Sequence, residues 1–327
     1  MNKRIIGVGV AAIAVAALAL GATGCAPEKK LSIAFVMGAE SDPFFQAMKV
    51  GATEEAAAQG VDLIWQGDAS HYDVATQVPI VDTVLAGNPS GLVLIPTDPT
   101  GLQASADKAV DAGVALALVD TTVNDASRAV ITITGDNADG GAKAADAIAS
   151  AIGYTDGQKY QVVVGLTSAT ATTNVGRLNG FKDQIASTYP GIEIVDVAYS
   201  ASNPTTANSN VNNWLTKYPN LSGIFAIDGT NASGAAAALQ AKNLVGKIAL
   251  VGYDAYPANV DLLKQGVFTA LIAQDPAAEA RLAIQTLVAN IKNGTAAAQH
   301  DVVIPNVALT SATSDADFAK YTYVATN

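Results

Sequence analysis

The sequence contains a single cysteine, Cys25, so no disulfide can form within the chain and cysteine pairing reports nothing about the redox compartment. Histidine is almost as scarce: His71 and His300 stand alone in unrelated segments. With no H-E-x-x-H pair and no Cys/His cluster, no zinc site is supported. The G-x-S-x-G elbow and the G-x-x-x-x-G-K-[ST] phosphate loop are missing too. Few conventional catalytic groups remain, although a pair of carboxylates could still do glycosidase work. Only 18 Lys and Arg stand against 29 Asp and Glu, a formal net charge of −11, and no basic run occurs. Such a chain repels nucleic-acid phosphates and has no polybasic hold on an anionic membrane. It also lacks a Pro/Gly/Ser-rich linker and a low-complexity tail, so any domain boundary must be a short crossing inside regular structure.

What is present is apolar. Half of the 327 residues are hydrophobic and 14% are charged, which suits one or two globular domains with a substantial core. The chain opens with Lys3 and Arg4, runs apolar from Ile5 to Leu20, and then reaches Gly21, Ala22, Thr23, Gly24 and Cys25. That is the charged, apolar, small-residue order of a secretory signal. The stretch Ala22-Thr23-Gly24-Cys25 resembles a bacterial lipobox, with Ala22 where leucine is usual. The resemblance implies a signal over residues 1–24, acylation of Cys25 and a lipidated tether over 25–30. The competing reading is an uncleaved anchor, since about 19 apolar residues just span a bilayer. Both place the remainder outside the cytoplasm, and no later segment is long and apolar enough to span. Within the leader, Gly7, Gly9 and Ala12 fit G-x-G-x-x-A, but no strand precedes them and no amphipathic helix follows. They belong to the signal.

From residue 31 short apolar runs alternate with longer Ala-rich segments. The runs fall at residues 31–37, 61–65, 91–95, 114–119 and 130–134, then at 161–166, 192–198, 223–227, 248–252 and 269–273. Near-continuous apolar strands belong to sheets buried on both faces, the parallel α/β case. The segments between them, such as 44–59, 102–112, 138–152, 174–188 and 277–293, have helix-favouring composition. One barrel takes eight β-α units; ten fit two open, doubly wound sheets better. Thr134-Gly135-Asp136-Asn137 is the midpoint candidate. Residues 311–327 are expected to be irregular and to pack at an edge.

In doubly wound sheets ligands bind beyond the carboxyl ends of the strands. Those ends read Asp42-Pro43-Phe44-Phe45, Asp98-Pro99, Asp120-Thr121, Asp136-Asn137, Asp228, Tyr253-Asp254 and Gln274-Asp275. A carboxylate or carboxamide recurs at them. A sugar offers hydroxyls that both donate and accept, together with apolar C–H faces. Carboxylates and amides take the hydroxyls, arginine donates in a fork, and aromatic rings cover the faces. A capping role competes at Asp42, Asp98 and Asp275, each followed by proline, and at Asp136. For Phe44 and Phe45 the competing reading is plain core, and for Arg177 a solvated helix surface.

At these residues the chain resembles the type I periplasmic sugar-binding family, the ribose-, galactose- and xylose-binding proteins, over roughly residues 31–307. The motifs carrying it are Asp42-Pro-Phe-Phe45, Pro96-Thr-Asp98, Val119-Asp120, Gly135-Asp-Asn137, Arg177-Leu-Asn-Gly-Phe181, Val251-Gly-Tyr-Asp254 and Ala273-Gln274. The resemblance implies two doubly wound lobes joined by a three-segment hinge near Thr134-Gly135, Gln274-Asp275 and residues 300–305. The first lobe would comprise residues 31–134 and 275–303, the second 135–274 and 304–327. Phe44 and Phe45 would line the sugar faces. Asp42 and Asp228 stand where the family often has Asn. Asp120 and Asp254 would each accept two hydroxyls, Arg177 would donate, Tyr253 would form an aromatic wall, and Gln274 would contact the ligand at a crossing. Thr121 replaces a common Arg, and the aromatic expected near Asn203 is missing. Both departures point away from ribose itself.

The expected function is an extracytoplasmic, lipid-anchored, monomeric binder of a small neutral sugar or polyol, serving an ABC permease and its ATPase. It is not expected to be an enzyme, and no cofactor, metal or nucleic acid is implied. Three alternatives stay open at this point. One is a sugar or furanosyl-signal receptor feeding a chemoreceptor or kinase. Another is a regulator of the related repressor fold, which would need an N-terminal helix-turn-helix in place of the signal. The third is an extracellular carbohydrate enzyme.

Overall fold

Each of the ten apolar runs forms a strand, because an extended segment that is apolar on both faces is stable only when both faces are covered. The computed structural model describes Met1 and residues 30–324, so the leader and Cys25 lie outside the described residues. Leu31–Asn327 forms one compact unit. Its elements run β1 (Ser32–Met37), α1 (Pro43–Gln59), β2 (Asp62–Gly67), α2 (Val74–Ala86), β3 (Gly91–Leu94), α3 (Gln103–Asp111), β4 (Ala115–Val119) and β5 (Ile131–Gly135). Then come α4 (Asn137–Ala151), β6 (Tyr160–Leu166), α5 (Thr172–Thr188), β7 (Ile192–Tyr199), α6 (Pro204–Lys217), β8 (Leu221–Ala226), α7 (Gly229–Ala241), β9 (Ala249–Tyr253), α8 (Pro257–Lys264) and β10 (Ala270–Ala273). The chain closes with α9 (Pro276–Asn293), β11 (Asp301–Ile304), β12 (Val307–Leu309) and α10 (Asp315–Tyr321). No helix among the described residues is long and apolar enough to cross a membrane.

Two six-stranded sheets result, ordered β11-β5-β4-β3-β1-β2 and β12-β10-β9-β8-β6-β7. The first is wholly parallel; in the second, β12 runs antiparallel to β10. The shared order is that of a doubly wound fold, whose ligand crevice lies past the carboxyl ends of the strands. The chain passes between sheets three times: after β5 at Asp136, after β10 at Asp275, and between β11 and β12 at Pro305-Asn306.

The crossings exchange helices. α4 follows a strand of the first sheet but packs on α5, and α9 follows a strand of the second sheet but packs on α1. The two exchanges repeat residue for residue. Gly51 is the ninth residue of α1, and a Cβ there would lie 2.2 Å from the carbonyl oxygen of Ala277, the second residue of α9. Gly180 is the ninth residue of α5, and its Cβ would lie 2.0 Å from the carbonyl of Ala138, the second residue of α4. Both helix pairs meet backbone to backbone, which only glycine allows.

Three local expectations change. Residues 300–305 are not a bare crossing, because β11 forms there. Residues 311–327 are not simply irregular: α10 forms, and Tyr323 just beyond it is buried. Asp98 caps no helix, since α3 starts only at Gln103; its carboxylate instead accepts from the Thr100 and Gly101 amides of a turn.

Candidate functional site

β4 and β9 hold the same place in their sheets, and each ends in an aspartate with left-handed backbone, Asp120 at φ 62° and Asp254 at φ 65°. The Asp120 amide donates to Ile133 of β5 and the Asp254 amide to Ile272 of β10, each at 2.8 Å. A non-glycine residue at positive φ is strained, and such strain tends to collect at functional sites. Here both carboxylates turn into one cavity, which mixes aromatic walls with a few convergent polar groups as small-molecule sites do.

The cavity gathers eight of the nine residues expected from sequence: Asp42, Phe44, Phe45 and Asp120 from the first lobe, and Arg177, Asp228, Asp254 and Gln274 from the second. The two phenylalanine rings meet edge to face at 5.3 Å. Tyr253 is the exception and does not line the cavity. It is fully buried, its hydroxyl accepts from Asn306 at 2.6 Å, and the Arg177 guanidinium lies 3.7 Å from its ring centroid. Tyr253, the last residue of β9, points toward Gly140 of α4, while the left-handed turn that follows carries Asp254 into the cavity. Tyr253 lies against Arg177 and outside the cavity wall.

The carboxylates differ in what they have left to offer. An ionised carboxylate has about four acceptor positions. Asp254 fills three, taking Gln274 Nε2 at 2.7 Å, the Tyr323 hydroxyl at 3.0 Å and the Gly229 amide at 2.9 Å. Asp228 caps α7 and accepts from the Asn231 amide, Asn231 Nδ2 and Thr167 Oγ1. Asp42 caps α1 through the Phe44 amide at 2.9 Å and reaches the other lobe, accepting from the Tyr256 and Thr230 hydroxyls. Asp120 is 7% exposed and accepts from no side chain or amide among the described residues. Its acceptor capacity is therefore not taken up by those groups, and the residue lines the cavity. Arg177, 3% exposed, donates Nε to Asn137 at 2.9 Å and Nη1 to the Ile227 carbonyl at 3.0 Å.

Sequence reasoning did not name Tyr72, Thr167, Thr173, Asn174, Ser202 or Tyr256, which complete the wall. Tyr256 precedes the proline that opens α8 and Tyr72 precedes Asp73, the cap of α2; those punctuation marks were the available signal. The aromatic expected near Asn203 has no counterpart there, where Ser202 lines the wall. Tyr72 and Tyr256 bring rings from other loops. The Thr121 hydroxyl turns away and donates to the Pro96 carbonyl at 2.7 Å.

Packing these acids around one guanidinium has an electrostatic cost. Burial, with Asp254 and Asp228 nearby, lifts Asp42 from 3.8 to about 7 against the bonds from Tyr256 and Phe44. Burial lifts Asp120 to about 7 as well, with Arg177 opposing and Asp254 and Asp42 adding. Burial also raises Asp228. Glu279, in the first turn of α9, is fully buried with neither carboxyl oxygen partnered, and burial together with Asp120 holds it well above the usual range. Burial works against the charge of Arg177, but Tyr253, Asp254 and Asp120 outweigh it and its pKa is raised.

For raised acids the folded state holds more protons than the unfolded one between about pH 4 and 7, so stability is lost as pH climbs through that window. Asp68, Asp196 and Asp301 are held down instead, but they sit at the surface, where screening weakens their opposite contribution. Without added ligand, Tm is therefore expected to be several degrees higher at pH 5 than at pH 8, at roughly 2–4 °C per kcal/mol. Thermal scans across that range check it; a Tm that climbs steadily toward pH 8 contradicts it.

A family model described as a periplasmic binding protein domain matches residues 33–295. The D-ribose/D-allose-binding protein of Pseudomonas aeruginosa is 26% identical over 310 residues, covering 93% of this chain and 95% of that protein. The D-apiose import binding protein of Paraburkholderia graminis is 30% identical over 291 residues, covering 86% and 88%. Among solved structures, an ABC transporter solute-binding protein from Agrobacterium vitis, bound with α-D-tagatopyranose, superposes with a TM-score of 0.84 at 29% identity, covering 90% of this chain and all of that one. A carbohydrate transporter solute-binding protein from Agrobacterium radiobacter, in complex with D-arabinose, gives 0.84 at 27% identity, covering 89% and 98%.

Proposed function

The chain belongs to the periplasmic binding protein family, and from that membership we propose that it captures a small neutral sugar or polyol between its lobes and delivers it to an ABC permease and its ATPase. The observation that carries this reading is the pair of strand-end aspartates, Asp120 and Asp254, turned into one cavity beside Arg177 and two phenylalanines. Asp120 takes two hydroxyls. Asp254, with one acceptor position remaining, takes one. Phe44 and Phe45 cover a C–H face. The excess of acid favours a hydroxyl-rich neutral ligand over an anionic one. Relatives named for ribose, allose and apiose, and neighbours holding tagatose and arabinose, support a pentose- or hexose-sized ligand.

Residues 31–134 with 275–303 would move as one lobe, and 135–274 with 304–327 as the other. Ligand contacts made to both lobes only when they meet favour the closed form, which the permease would recognise. Acylation at Cys25 would keep the protein beside that permease, outside the cytoplasm.

Titration calorimetry against neutral pentoses, hexoses, polyols and sugar phosphates tests the reading. One neutral sugar, or a few related ones, should bind with micromolar or tighter Kd, about 8 kcal/mol. Asp120→Ala should weaken that binding by more than about tenfold, because it removes a buried charged acceptor. A sugar phosphate binding more tightly than every neutral sugar, or near-wild-type affinity in Asp120→Ala, would discredit the assigned site.

A further inference from the structure

We propose that Tyr323 is a positioning residue of the sugar site: it fixes the Asp254 carboxylate for the ligand and ties together the aromatic side chains of the two lobes. The proposal rests on the sugar-binding reading above. Tyr323 lies two residues past α10, is 4% exposed, and does not itself line the cavity. Its ring and hydrogen-bond partners Phe44, Asp254, Tyr256 and Gln274 all line it, and Ala255 adjoins two of them.

The segment is anchored twice before it reaches the site. Phe318 of α10 is buried with Lys264 of α8 held 4.5 Å from its ring centroid, and the Tyr323 amide donates to the Ala255 carbonyl at 2.9 Å. From there the Tyr323 hydroxyl donates to Asp254 Oδ1, the oxygen that also accepts from Gln274. With the Gly229 amide on Oδ2, the three donors leave one acceptor position and fix where it points. The ring meets Phe44 of the first lobe and Tyr256 of the second, each at a centroid distance of 6.0 Å. Tyr256 in turn donates to Asp42 across the cleft. One side chain thus orients an acid of the second lobe and packs against a ring from each.

Tyr323→Phe keeps the packing and deletes the donor. It should raise the Kd of the bound sugar by about tenfold or more, since hydrogen bonds to charged groups are the stronger class. Tm should move by no more than a few degrees. Tyr323→Ala, which also removes the ring, should bind more weakly still. A double-mutant cycle separates positioning from general support. In an Asp254→Asn background, where the carboxylate to be positioned is gone, Tyr323→Phe should change Kd by less than threefold. An equal loss in both backgrounds, or wild-type affinity in Tyr323→Phe, would overturn the proposal while leaving sugar binding intact. A wild-type protein that binds no sugar in the panel would overturn the function itself, and this proposal with it.

Discussion

Arg177→Ala is expected to raise the Kd for the bound sugar by at least thirtyfold or so, the equivalent of roughly 2 kcal/mol. Among the described residues Arg177 is the only cation lining the cavity, where it faces four aspartates. Its Nε and Nη1 also bind Asn137 and the Ile227 carbonyl, so it joins the start of α4, the body of α5 and the end of β8. Truncation has three consequences. A fork of donors disappears from the ligand wall. Asp120 and Asp254 lose the charge that offsets their burial. The Tyr253 ring, stacked at 3.7 Å, loses its cover. The second term dominates, because breaking a buried charge pair leaves the other charge unpaired in a poor solvent, and such losses run to about 2–5 kcal/mol. Arg177→Lys is the discriminating companion. It restores the charge but not the planar fork, so it should recover part of the affinity and not all of it. Calorimetry on the three proteins decides the matter; a Kd for Arg177→Ala within threefold of wild type would mean that the guanidinium supports the fold alone.

The residues legible in the sequence were those whose place topology dictates. Once ten buried strands alternate with helices, ligand groups must sit just past the strand ends, and Asp42, Asp120, Asp228, Asp254 and Gln274 follow from that rule alone. What the rule does not give is which of two adjacent side chains enters the cavity. Tyr253 and Asp254 are neighbours, and the left-handed turn at Asp254 sends only the acid inward. Tyr256, two residues on, supplies the ring that Tyr253 was expected to provide. β11 and β12 were illegible for a different reason. They are four and three residues long, partly exposed and separated by Pro305-Asn306, so their apolar stretches, Val302 to Ile304 and Val307 to Leu309, are too short to stand out as strands. Tyr323 carried no local signal at all: its burial depends on α8, α1 and the Asp254 turn, each distant in sequence.

The equivalence of the two helix exchanges makes a sharper test of the fold, in which two known effects have opposite sign. Gly180 lies mid-helix in α5, where alanine is intrinsically favoured over glycine by about 1 kcal/mol. Propensity alone therefore predicts that Gly180→Ala stabilises the protein. Packing predicts the reverse. The new Cβ would sit 2.0 Å from the Ala138 carbonyl oxygen and 2.7 Å from its carbonyl carbon, and these are backbone atoms that cannot rotate aside. The helices must separate by more than an ångström, and forced overpacking of this kind costs about 1–3 kcal/mol or more. Gly141, on the facing helix, is pressed equally hard against the Arg177 carbonyl, so the seam has no slack to absorb the shift. Packing should win. Gly180→Ala is expected to lower Tm by roughly 5 °C or more, at about 2–4 °C per kcal/mol, and Gly51→Ala, the matching position against Ala277, by a similar amount. The two should part company in binding. Arg177 sits one turn before Gly180 and donates to Asn137 at the start of α4, so spreading α4 from α5 pulls the guanidinium out of register with Asp120. Spreading α1 from α9 at Gly51 leaves Arg177 where it is. Loss of stability in both variants, with the larger loss of sugar affinity in Gly180→Ala, would show that the backbone seam holds the binding arginine as well as the fold; a Gly180→Ala protein more stable than wild type would show that the helices do not meet there.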